Sequence, residues 1–244
     1  MPATPAWPPK SLPRLFVRPP LSPGAAIELD AGQANYLGNV LRLGLGGEVL
    51  LFDGSSGEWL ARISDAGKKR MTLTVERSTK PLEQVPDLTL AFAPVKRAQV
   101  DWLVEKATEL GVRRLQPVIT QRTVVERVKL ERLEAIAMEA AEQCGRTLLP
   151  EIADPVGLSA ILKSSTGALY FADETGGDPV HQAFQPGPAT ILTGPEGGFT
   201  DAERAAIRAM PHARAISLGP RILRAETAAL AAVSAYMALA GDWR

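Results

Sequence analysis

Only one cysteine, Cys144, stands among the 244 residues. No disulfide can form within the chain, which fits a reducing compartment. Histidine is nearly absent too: His181 and His212 sit in loop-like sequence with no Cys or carboxylate at ligand spacing, so no metal site is expected. Net charge is missing, with 27 basic against 27 acidic side chains, so the overall charge points to no partner. No apolar run approaches the roughly 20 residues of a membrane span. The most apolar stretch, "AALAAVSAYMALAG" at 228–241, is mostly alanine, ends at Gly241 and reads as a packed helix. The opening "MPATPAWPPK" lacks the apolar core of a secretory signal. A soluble, cytoplasmic protein without membrane contact is the expectation.

Hydrophobic residues make up 45% and charged residues 22%, enough to build a sizeable core. The neutrality hides a mild asymmetry: residues 1–80 hold 10 Lys or Arg against 7 acids. That first stretch reads as short strands, "RLFV", "AIEL", "GEVLLFDG", "EWLARIS" and "MTLTVERS", with one short helix at 31–42. Several short strands closing on themselves suggest a small β-barrel over 1–80. The polar "KPLEQVPD", 80–87, makes a linker. From 88 to 244 strand-like runs ("LTLAFAPV", "LQPVIT", "ALYFAD", "TILTG", "AISLG") alternate with helical patterns near 98–110, 128–143, 201–210 and 224–240. That alternation predicts an α/β domain with a mostly parallel sheet.

Ligands of open α/β sheets sit outside the carboxyl ends of the strands. Two glycine-bearing loops fall there, "TGPEGGFT" and "LGPRILRAET". Thr200 and Glu203 form a capping-box signature that marks a helix start after the first. Neither loop is a phosphate loop: G-x-x-x-x-G-K-[ST] is lacking, and Glu196 would repel a phosphate. A loop of backbone groups with a carboxylate suits a neutral or cationic ligand; two plain tight turns are the alternative. In the second loop Arg221, Arg224 and Glu226 surround Ile222 and Leu223, and arginines there favour an anion or a developing negative charge. Ordinary surface ion pairing is the alternative. Asp173 and Glu174 follow a strand and border the same region. Cys144, near a helix end, reads as a buried structural thiol.

"LTGPEGGFT" and "LGPRILRAETAAL" resemble the paired C-terminal motifs of the RsmE family, the small-subunit (16S) ribosomal RNA uridine N3-methyltransferases of the SPOUT superfamily. "PRLFV", "VLRLGLGGEVLLFDG", "KATELGV", "QRTVV" and "EAAEQCGR" resemble its other motifs in the same order, over almost the whole chain. The resemblance implies a SPOUT-type trefoil-knotted α/β domain over 88–244 and an RNA-binding, PUA-like β-barrel over 1–80. It implies a homodimer with the last helix in its interface, S-adenosylmethionine as cofactor, and small-subunit ribosomal RNA or the 30S particle as partner. Carried onto this sequence, backbone groups of Leu192, Thr193, Gly194, Glu196, Gly197 and Gly198 in one loop would hold the cofactor. Those of Leu218, Gly219, Ile222 and Leu223 would do so in the other.

By place in the motif Arg224 would stabilise charge on the deprotonated uracil, and Glu226 would orient it or help move the proton. A helix-start acid favoured by the dipole is the alternative for Glu226. Arg14, Arg18 and Arg42, with Lys96, Arg97 and Arg122, are candidates for RNA contact. The chain departs from the family pattern at Asn35 and Tyr36, where relatives often carry histidine, and at Ala225, where many carry threonine. Other readings are a knotted methyltransferase acting on a ribose 2′-hydroxyl or a tRNA base, a non-catalytic RNA-binding protein, and a nucleotide hydrolase, which the absent phosphate-loop lysine opposes.

Overall fold

A computed structural model describes residues 12–67, 70–125 and 127–243. Residues 1–11 of the expected first domain, and Lys10, Lys68 and Lys69 of the charge count, lie outside them. Two compact units emerge: one runs to Glu83 and includes Glu142–Leu148, the other comprises Gln84–Ala141 and the residues from Leu149 on. The division falls inside the polar 80–87 stretch. Nothing in the sequence announces that 142–148 joins the first unit.

In the first unit β1 (Arg14–Phe16), β2 (Ala26–Glu28), β3 (Glu48–Phe52), β4 (Glu58–Ala66) and β5 (Met71–Lys80) form a sheet in the order β1-β3-β4-β5-β2. All its pairs are antiparallel except β1 with β3. Alternate residues face inward, as the two-residue period of a strand requires: Met71, Leu73 and Val75 from β5 meet Val49 and Leu51 from β3. Three register shifts bend the β4–β5 pair. The expected helix over 31–42 is α1 (Ala31–Asn35), capped by Asp30, continued by a π-helical turn, Tyr36–Val40. It ends at Arg42, whose φ of 57° makes it the one non-glycine in the left-handed region among the described residues.

The second unit contains β6 (Leu88–Phe92), α2 (Arg97–Glu109), β7 (Arg114–Ile119), α3 (Leu130–Cys144) up to Ala141, β8 (Glu151–Ile152), β9 (Val156–Gly157) and α4 (Leu158–Ser164). Then come β10 (Ala168–Ala172), β11 (Asp178–Pro179), α5 (Val180–Ala183), β12 (Ala189–Thr193), α6 (Asp201–Arg208), β13 (Ala213–Ser217) and α7 (Ala225–Leu239). The strands form an all-parallel sheet in the order β11-β13-β10-β12-β6-β7-β8, with β9 beside β7. At its centre β6 and β12 pair from Leu88 opposite Ala189 to Phe92 opposite Thr193. Both faces are covered, so the central strands are almost wholly apolar. Leu90, Ile191, Val104 and Tyr236 belong to one core cluster, and Ala91, Leu192, Phe171, Phe199 and Ile207 to the other. Each large apolar side chain so buried contributes about 1.5–3 kcal/mol. Alanine-rich α7 packs against α2, α5 and β12. Among the described residues no helix is long and apolar enough to cross a membrane.

Candidate active site

A cavity of about 710 Å³ opens at the carboxyl ends of β10, β12 and β13. Its wall comprises Ala172–Gly176, Thr193–Gly198 and Ile216–Ala225, with Ala228 of α7.

The stretch 194–200 is held tightly by its own chain. Gly198 donates its N–H to Pro195 O at 2.8 Å with a φ of 65°, and a Cβ there would lie 2.5 Å from Glu174 Oε1. Only glycine meets both conditions without strain. Gly194 lies against the Phe199 ring and Gly197 against the Arg122 side chain. Thr200 and Glu203 form the expected capping box of α6, with Thr200 N–H donating to Glu203 Oε2 at 2.9 Å. The buried Glu203 does more than the motif foretold: its Oε1 accepts the Gln121 N–H at 2.7 Å.

Below this loop lies a charged cluster. Arg204 meets Asp173 at 3.1 Å and Glu174 at 2.6 Å, and Arg208 meets Asp173 at 2.7 Å. Burial works to raise the Asp173 pKa. Hydrogen bonds from the Thr175 N–H, Arg208 and the Thr175 hydroxyl, with the charge of Arg204, outweigh it and hold the carboxyl below its ordinary range.

The segment 218–224 is built differently. Gly219 adopts a φ of 110°, Ile222 is 91% exposed, and Arg221 and Arg224 are exposed. Among the described residues no carboxylate pairs with either arginine, and the N–H groups of Leu218 and Leu223 have no hydrogen-bond partner. Arg224 takes the N-cap position of α7 with extended backbone and no side-chain cap bond.

Nine of the ten residues expected at the cofactor line the cavity: Thr193, Gly194, Glu196, Gly197, Gly198, Leu218, Gly219, Ile222 and Leu223. Leu192 does not; one residue deeper in β12, it is buried among Phe171 and Phe199. Arg224 lines the cavity, whereas Glu226 sits half-buried in the first turn of α7, outside the lining. Asp173 and Glu174 line it, as their place after a strand suggested. Of the RNA candidates, Arg14 is corrected. Its side chain is 9% exposed, pairs with Glu58 at 2.6 Å, stacks over Phe52 and donates to Glu142 O and Arg146 O. Arg18, Arg42, Lys96, Arg97 and Arg122 are exposed. Arg97 borders a separate cavity of about 150 Å³, and Arg122 donates to the Gly197 carbonyl. Cys144, expected buried, is exposed. Sequence reasoning missed Arg204 and Arg208, although their four-residue spacing on an acid-started helix was a usable sign. Among the described residues no three His, Cys, Asp or Glu group together to hold a metal.

Residues 81–237 match the family model of an RNA methyltransferase domain, and residues 29–76 that of an RNA methyltransferase PUA domain. The chain is 32% identical to Ribosomal RNA small subunit methyltransferase E of Rickettsia conorii, over 91% of this chain and 93% of the relative. The protein of that name from Synechocystis is 35% identical, over 93% and 77%. A crystal structure of a Ribosomal RNA small subunit methyltransferase E from Neisseria gonorrhoeae, bound to S-adenosylmethionine, superposes with a TM-score of 0.88 at 29% identity, covering 96% of this chain and all (100%) of that one. A Legionella pneumophila structure with S-adenosylmethionine bound gives 0.87 at 30% identity, over 95% and 99%.

Proposed function

The chain belongs to the small-subunit ribosomal RNA methyltransferase E family, and from that premise we propose that it methylates uridine N3 in 16S ribosomal RNA with S-adenosylmethionine. The observation that carries this reading is the one cavity shared by the two loops, with Arg224 at its wall and no described carboxylate paired with it. The residues present fit the cofactor. The wall offers backbone N–H groups at Leu218 and Leu223 for a nucleoside and the exposed carboxylate of Glu196 for a cation, with Arg221 and Arg224 on the side left for a negative charge. When bound, S-adenosylmethionine supplies an electrophilic methyl group on a sulfonium.

The protein's own part is placement and electrostatics. Uridine N3 lies on the Watson–Crick edge, so the base must be unpaired or extruded. Loss of its proton spreads charge over the two flanking carbonyl oxygens. Arg224, engaged with no described carboxylate, stabilises that charge. Alignment alone is worth roughly 7–11 kcal/mol. Glu226, outside the cavity, is assigned the structural role of an acid at a helix start.

Several finer features belong to the same reading. The RNA is held by Arg18, Arg42, Lys96 and Arg97. Arg42 keeps a left-handed backbone that disfavours a side chain by roughly 1–2 kcal/mol, which argues for use of its guanidinium. Arg42→Gly is expected to raise stability by up to about 1 kcal/mol in urea unfolding and to weaken RNA binding. A trefoil knot is supported by β10 lying between β12 and β13 while their two loops meet at one cavity. A homodimer through α7 is supported by its small residues and by exposed Leu239 and Trp243. The cytoplasm is the place where such an RNA substrate and a lone thiol coexist.

The test is a methylation assay with labelled cofactor, on unmodified small-subunit RNA and on 30S particles, read by mass spectrometry of nucleosides. N3-methyluridine is expected, with Arg224→Ala losing about 10²–10³-fold in turnover at unchanged cofactor affinity. A methylated ribose or another base would move the substrate, and no cofactor binding would overturn the reading.

A further inference from the structure

The segment that follows β7 touches the glycine-bearing loop after β12 and the first turn of α6 that follows it. Gln121 donates its N–H to Glu203 Oε1 at 2.7 Å. Arg122 Nη1 donates to Gly197 O at 2.5 Å and reaches Phe199 O at 3.5 Å. Contact is close enough that a Cβ on Gly197 would stand 3.2 Å from Arg122 Cδ. Arg122 therefore bears directly on the backbone that lines the cofactor cavity.

Both acceptors of Arg122 are uncharged carbonyls, and no carboxylate among the described residues pairs with it. The guanidinium carries five N–H donors in a planar fork; among the described residues only Nη1 is engaged, which leaves the edge formed by Nε and Nη2 open on an exposed residue. Such an edge matches the two oxygens of a phosphodiester. By contrast Arg204, on the other side of the same loop, is spent on Asp173, Glu174 and Asp201.

Resting on the functional reading above, we propose that Arg122 is a positioning residue that grips an RNA phosphate with its open edge while Nη1 fixes the Gly197 carbonyl, so that RNA binding sets the shape of the cofactor loop. The coupling is reciprocal: RNA tightens the cofactor and the cofactor tightens RNA by the same factor.

Calorimetric titration of the full chain with S-adenosylmethionine, alone and with an unmodified small-subunit ribosomal RNA transcript, tests this. Wild type is expected to bind cofactor about 5-fold or more tightly with the transcript present. Arg122→Gln is expected to bring that ratio to about 1. Arg122→Lys, which keeps the charge but loses the fork, is expected to retain RNA binding and only part of the ratio; it also serves if the glutamine variant folds poorly. An unchanged ratio in both variants overturns the proposal. So does a fall in RNA affinity with the ratio intact, which would make Arg122 a contact without linkage. If wild type binds cofactor but shows no ratio, the linkage alone is overturned. If wild type binds no cofactor at all, the functional reading falls as well.

Discussion

The two loops that share the cavity are held in opposite ways. Residues 194–200 are braced on every side, by the Gly198–Pro195 turn, the Thr200–Glu203 box, Arg122 above and the Arg204–Glu174 pair below. Residues 218–224 offer N–H groups and two arginines that find no partner among the described residues, and an isoleucine set in solvent. A loop braced before its ligand arrives has little ordering entropy left to lose. A loop with open donors and cations gains its partners from the ligand. On the proposed function, one half of the site is therefore largely preorganised, with Arg122 as the one brace that RNA would tighten, and the other half would be completed by cofactor and RNA.

Removing the braces is the strongest way to break that contrast. Arg204→Ala strips a nearly buried partner from Asp173 and Glu174 and should lower stability by about 3 kcal/mol, read from urea midpoints, with weaker cofactor binding. Gly198→Ala combines a left-handed backbone with a collision against Glu174 and should cost about 2 kcal/mol. Gly219→Ala, with a φ of 110° but nothing within 4 Å of the added carbon, should cost about 1 kcal/mol. Equal losses at the two glycines would erase the distinction.

Acid should loosen the braced side. The folded-state pKa of Asp173 is depressed, so its contribution is complete above the unfolded value near 3.8 and disappears as pH falls through the folded one. Urea midpoints from pH 6 to pH 2 should show this acid loss, and Asp173→Asn should lack that component. Smallest of all, Ile222→Ser should change stability by less than about 0.5 kcal/mol, any effect being confined to cofactor affinity.

Local pattern made much of this legible. Apolar runs between turn signals located the main strands, and the capping box placed the start of α6. β8, β9 and β11, of two residues each, carry no apolar run at all, and α4 and α5, of seven and four residues, are too short to show a helical period, so none of the five was legible. Both cavity loops could be read because their position after strands has a general meaning. The fate of each arginine could not. Arg14 and Arg224 look alike in sequence, but the fold brings Glu58 to the first and no described carboxylate to the second. Arg122 and Glu203 were visible as a basic residue and a cap, while the contacts between their two segments span about 80 positions.

The seam between β6 and β12 sets a schedule for translation. About 100 residues separate the two strands. At about 5–20 residues per second, β6 leaves the ribosome roughly 5–20 s before its central neighbour is made. During that interval the "LTLAF" edge has β7 on one side only, and an apolar edge lacking its partner is a template for aggregation. Conditions that slow elongation between codons 92 and 189 should lengthen this exposure, so the yield of folded protein depends on the pace of synthesis as well as on final stability.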